Sequence, residues 1–126
     1  MSITQINVSS PSNEILFTDT SIGNAVDAIK ASSAKVFWLT VDNSANAAAS
    51  YLKIFNVAGA SVTLGTTAPD FIVYIPGLSI VTLNFGTSAA PGLIFGTALS
   101  AACVTTGGTA GTSNPSSSVV VTISYV

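Results

Sequence analysis

Histidine and arginine are both absent from this chain, and the only bases are Lys30, Lys35 and Lys53. Without histidine, the usual general base, the usual partner of a nucleophilic serine and the commonest metal ligand are missing together. With so few cations, counterion release from a phosphate backbone has almost nothing to drive it, and no nucleic-acid partner is expected. Cys103 is the single cysteine, which excludes an internal disulfide. Its neighbours Ala101, Ala102 and Val104 make it a small buried hydrophobe rather than an activated thiol, since no cation lies near it in sequence. Beyond Asp70 there is no Asp, Glu, Lys or Arg at all. Charge-dependent chemistry is therefore expected only in the first half. Long hydrophobic runs are lacking too: Pro76, Gly77, Pro91 and Gly92 interrupt the apolar stretch from Phe71 to Phe95 before it reaches the roughly 20 residues of a membrane span. The opening MSITQINVSS has neither a basic segment nor an apolar centre, so it does not read as a signal peptide.

What is present is apolar and small. Of the 126 residues 48% are hydrophobic and 6% charged, where an ordinary domain carries about 25% charged residues. Ser, Thr, Asn, Gly and Ala take the place of charge at the surface. With a net charge of −2, such a surface gives little mutual repulsion, and it suits a subunit packed among neighbours. The length fits one domain that buries about two thirds of its unfolded surface.

Residues 1–13 read as an N-terminal arm and linker, with Ile3, Ile6 and Val8 followed by a Ser, Pro and Asn cluster, and residues 14–126 as the folded domain. Glu14 to Thr20 is a short strand. Ser21 to Ala34 carries two patterns, a helical one on Ile22, Ala25, Val26 and Ile29 and an alternating one; a strand and turn is the expectation, with a short helix as its competitor. Lys35 to Val41 is a strand apolar on both faces, with Phe37, Leu39 and Val41 forming one row. Tyr51 to Asn56 places Tyr51, Lys53 and Phe55 on one side and Leu52 and Ile54 on the other. Ser61 to Leu64 is read as a brief strand.

Two runs, Phe71 to Ile75 and Leu78 to Phe85, flank Pro76-Gly77 and are expected to form a hairpin or a sheet corner at the centre of the fold. Phe71, Val73 and Ile75 fill the core in this reading. Ile72 and Tyr74 point the other way and are the candidate subunit contact. Leu93 to Phe95 and Leu99 to Thr105 follow as strands, and Gly107 to Ser118 is too rich in Gly and Ser to pack, so an exposed loop or disordered tip is expected there. The last strand, Val119 to Val126, carries an inward row of Val119, Val121, Ile123 and Tyr125 and is expected to pair inside a sheet. About eight short strands with no helix describe an all-β, single-domain β-sandwich, of jelly-roll type.

No motif of catalysis emerges, and no enzyme activity or cofactor is expected. The carboxylates Glu14, Asp19, Asp27, Asp42 and Asp70 stand in no recognisable pairing. Asp42, Asn43, Ser44 and Asn46 offer oxygens to a hard cation, but with one carboxylate among them turn chemistry is the better account. Gly107, Gly108 and Gly111 lack the lysine and helix of a phosphate loop. Trp38, Tyr51, Phe55 and Tyr74 suit either a sugar-binding face or the core.

Read in series, the segments VDNS, YLKIFN, TTAPDFIVYIPG, GLIFGTALS and VVVTISY give the chain a likeness. It resembles small virion proteins of tailed bacteriophages over roughly Ala25 to Val126. In those proteins a strand ending in an Asn-Ser or Asn-Thr loop precedes a YLKLYN-like strand, a Pro-Gly turn, a GLxFxxALS segment and a closing VxVxxxY strand. The resemblance implies a β-sandwich subunit on the virion, decorating or cementing the capsid beside the major capsid protein as a homo-oligomer, with a trimer favoured, or belonging to a tail or head fibre that binds a receptor or glycan. It brings no site residues with it.

Overall fold

The computed structural model describes residues 14–86 and 92–126; the expected arm at 1–13 lies outside the described residues. Nine strands follow in order: β1 (Ile15–Asp19), β2 (Asp27–Lys30), β3 (Ala34–Asp42), β4 (Ser50–Phe55), β5 (Phe71–Ile75), β6 (Ile80–Asn84), β7 (Leu93–Phe95), β8 (Leu99–Val104) and β9 (Val120–Tyr125). The one helical element among the described residues is a 3-10 turn, Gly59–Ser61. One sheet runs β1-β9-β3-β6, with β7 also pairing β3, and the other runs β2-β8-β4-β5. Every pairing is antiparallel. This is the jelly-roll order, in which successive strands mostly cross between two facing sheets. The crossing puts the inner faces of both sheets around one core of Val36, Leu39, Val41, Leu52, Ile54, Val73, Ile75, Leu99, Val121 and Ile123 among others. Burying each such side chain fully contributes about 1.5–3 kcal/mol.

The closing strand behaves as its alternation dictates. Val119, Val121, Ile123 and Tyr125 are all buried, and β9 lies between β1 and β3. The segment between Ser21 and Ala34 holds a strand and a turn and no helix.

Four expectations are corrected. Of the two turns expected between Phe71 and Phe85, hairpin or corner, the corner is the one formed: β5 belongs to one sheet and β6 to the other. It is also peripheral, since β5 and β6 are the edge strands of their sheets, so its apolar character does not come from a central position. Ser61 to Leu64 forms no strand; it continues the 3-10 turn into loop. In β3 the register against β9 shifts between Val36 and Trp38, and this bulge lets Val36 and Leu39, three residues apart, both reach the core. Phe37 is buried but stands outside that cluster, so the simple row of Phe37, Leu39 and Val41 is broken.

The fourth correction concerns Gly107 to Ser118: it is a loop exposed at 112–114 and 116–118, as expected, but it also packs against the sheet beneath it. Its backbone is tied down at both ends, by Thr105 N–H donating to Ser113 O at 3.0 Å and by Ser117 N–H donating to Asn46 Oδ1 at 2.8 Å. Gly107 lies against the ring of Tyr51, so close that a Cβ would sit 2.9 Å from a ring carbon. The segment is a strap over the outer face of the second sheet. Its glycines permit that approach.

Candidate interaction surface

The edge strand β5 alternates sharply. Val73 and Ile75 are buried, whereas Ile72 is 37% and Tyr74 55% exposed on the opposite face. Tyr74 is the register partner of Tyr51 on β4, and the two rings meet at 5.3 Å in a tilted pair. That contact fixes the phenol outward.

Past β5 the chain turns the corner. Gly77 is required there, because a Cβ would fall 2.0 Å from Ala47 O. Leu78 follows with φ of +59°, a left-handed conformation that a leucine adopts only under strain, and its side chain is 70% exposed. Ile80, at the start of β6, is also exposed. Ile72 and Tyr74 on the outer face of the second sheet, Leu78 on the corner and Ile80 on the outer face of the first are thus four large exposed apolar groups, with no charged residue in the sequence between them.

A buried polar cluster holds this corner from beneath. Asn43, at the end of β3, is fully buried and donates through Nδ2 to Ala48 O at 3.0 Å and Pro76 O at 3.1 Å. Its Oδ1 accepts from Asn46 Nδ2 and from Ser50 Oγ, both at 2.9 Å. Its backbone N–H donates to Ser79 O, and Leu78 N–H donates to Asn46 O at 2.8 Å. Asn46 Oδ1 in turn accepts from Ser116 Oγ and Ser117 N–H. The loop offered to a cation is thereby spent on internal bonds. Asp42 Oδ1 accepts from both the N–H and the hydroxyl of Ser44, and these bonds hold its carboxyl below the usual range. Asx-turn chemistry accounts for the loop.

Lys53 departs most from its residue type. It is fully buried on β4, and Nζ donates to Gly111 O at 2.9 Å and Thr109 O at 3.4 Å in the strap. Burial pushes its pKa down. Of the aromatics, Phe55 is buried, Tyr51 and Trp38 are half-buried and Tyr74 is exposed, so no single aromatic face forms from the four. Cys103 is buried, and burial pushes its thiol up to about 12, far from an active nucleophile. Asp70 Oδ2 accepts from Asn56 N–H and closes the β4–β5 connection.

The outer face of the first sheet has a different character. Register aligns Thr18, Thr122, Thr40 and Thr82 in one row across β1, β9, β3 and β6. Thr40 and Thr82 share a hydroxyl hydrogen bond at 3.0 Å. The adjacent row contains Leu16, Ser124, Trp38 and Asn84. Such a row is invisible in sequence, since its members come from four separated strands. A cleft of about 270 Å³ opens between Ser21–Gly23 and 114–118, lined by hydroxyl, amide and backbone groups without a titratable side chain.

Among the described residues no group of three or more Cys, Asp or Glu is placed to hold a metal, and no helix is long and apolar enough to cross a membrane. Compared with known protein families, with curated proteins and with solved structures, the chain gives no match.

Proposed function

We propose that this protein is a structural virion subunit of a tailed phage, decorating and cementing the capsid surface as a homo-oligomer, with a trimer favoured and the major capsid protein as its partner. One observation carries the assembly part of this reading. A rigidly held corner exposes Ile72, Tyr74, Leu78 and Ile80 on the edge strands of both sheets. Exposed apolar groups at sheet edges are an aggregation hazard that a monomer blunts with charge, and here charge is absent. A permanent neighbour removes the hazard. The virion location rests on the sequence resemblance, and the jelly-roll fold agrees with it without implying it. Mass spectrometry of purified virions is the test of location, with the protein expected at a stoichiometry matching the capsid lattice; its absence from intact heads would refute the reading.

The second reading is a receptor- or glycan-binding module of a phage fibre, and it now draws on the first sheet. The threonine row beside half-buried Trp38 and exposed Asn84 offers hydroxyls, an amide and an aromatic ring on one face. Binding on a glycan array with a change in Trp38 fluorescence would support it. A blank array leaves the capsid reading in place.

A further inference from the structure

Phe55, Ala102 and Val104 are fully buried, yet none of them belongs to the core between the sheets. They lie on the outer face of the second sheet, where register places Val104 beside Tyr51 and Ala102 beside Lys53. Two loops cover that face. On one side Ser100 Oγ donates to Val57 O at 2.7 Å, and on the other the strap receives Lys53. The loops meet where a Cβ on Gly65 would sit 2.8 Å from Thr112 Cγ2. The cover stops at β5, whose Ile72 and Tyr74 are the register partners of Lys53 and Tyr51 and stand exposed. The strap therefore borders the apolar edge.

Contact runs from one to the other. The ring of Tyr74 meets that of Tyr51, and Tyr51 lies against Gly107 in the strap, so close that a Cβ there would require the ring to move. Residues 106–111 are small, and among the described residues the hydrogen bonds that hold them to the sheet come from Lys53, at 2.9 Å to Gly111 O and 3.4 Å to Thr109 O. We infer that the strap is a latch for the docking edge, which the Lys53 ammonium holds closed. In the closed state Tyr51 is pinned between Gly107 and Tyr74, and the Tyr74 phenol keeps the outward pose that a second copy meets. Opening the strap releases that pose. The inference rests on the reading of Ile72 and Tyr74 as a contact between copies.

Two features make the latch reversible. No side chain of 106–111 is larger than threonine, so the strap inserts no large apolar anchor into the face it covers. Closing it also buries an ammonium against two carbonyls, and that burial carries a desolvation cost which the two bonds only partly offset. The closed strap is held by a narrow margin. Linkage then makes the coupling mutual: a closed strap favours docking on Tyr74, and docking favours the closed strap by the same factor.

The experiment follows amide exchange over 106–112 and self-association by sedimentation equilibrium, for the full natural chain, Lys53→Met and Tyr74→Asp. In the natural protein, strap exchange is expected to slow as rising concentration carries the chain from monomer to oligomer. Lys53→Met lies beneath the strap and off the docking surface. It is expected to speed strap exchange in the monomer and to raise the dissociation constant about tenfold, within the usual range of coupling between sites. Faster strap exchange in Lys53→Met with an unchanged dissociation constant overturns the latch; if Tyr74→Asp abolishes association in the same series, the contact itself stands. Unchanged strap exchange in Lys53→Met overturns the latch as well. A natural chain that stays monomeric overturns contact and latch together. Should Lys53→Met fail to fold, Gly107→Ala asks the same question by displacing the Tyr51 ring. Loss of the nuclear Overhauser contact between Tyr51 and Tyr74 together with weaker association supports the latch, and full association without that contact overturns it.

Discussion

Asn43 and Pro76 are joined across the corner of the sandwich: the buried Asn43 amide donates to the Pro76 carbonyl at 3.1 Å. The same side chain accepts from Asn46 and Ser50 and bonds Ala48 O, so one residue ties the β3–β4 loop to the β5–β6 corner. Buried polar networks of this sort rigidify what they join when every member is satisfied.

Asn43→Ala leaves the Ser50 hydroxyl, the Asn46 amide and two carbonyls without their partner. The expected cost is about 3 kcal/mol, near the upper end of single substitutions. Equilibrium denaturation measures it, and amide exchange should accelerate at Leu78 and Ser79 before the rest of β6.

The Leu78 backbone is held in its left-handed conformation by the N–H it donates to Asn46 O, while its side chain stands 70% exposed. Leu78→Gly is expected to hold or raise monomer stability by up to about 1 kcal/mol, because glycine adopts that conformation freely. The same change should weaken self-association, read by analytical ultracentrifugation. A leucine kept there for folding would behave in the opposite way.

Lys53→Met replaces a buried cation by an apolar side chain of similar length. Removal of the desolvation cost offsets the loss of the two strap bonds, so overall stability should change by no more than about 1–2 kcal/mol. The strap should loosen locally, with faster proteolysis or exchange over residues 106–112. Lys53→Ala, which also leaves a cavity, should cost more.

Local pattern carried much of this fold. The alternation in Val119 to Tyr125 and in Phe71 to Ile75 identified inward and outward side chains correctly, because a sheet face demands that period. Pro76-Gly77 was ambiguous, since a hairpin and a corner need the same local turn and differ only in which distant strand each arm pairs with. Edge position was hidden for the same reason. The alternation placed Lys53 on the side of its strand opposite Leu52 and Ile54, but the burial of that side comes from the strap, which is distant in sequence. Of the surface, Ile72 and Tyr74 were legible in the alternation. Leu78 and Ile80 were not, because an apolar run gives no sign of where the chain leaves one sheet for the other.

The account turns on whether the Ile72, Tyr74, Leu78 and Ile80 corner is an assembly surface. Light scattering coupled to size exclusion, run beside thermal unfolding for the natural protein and Tyr74→Asp, asks this directly. The predicted result is a symmetric oligomer for the natural chain and a folded monomer for Tyr74→Asp, with its melting temperature measured under conditions where both are monomeric changing little. An unchanged oligomer with lowered thermal stability would contradict it, and would make Tyr74 a fold residue only.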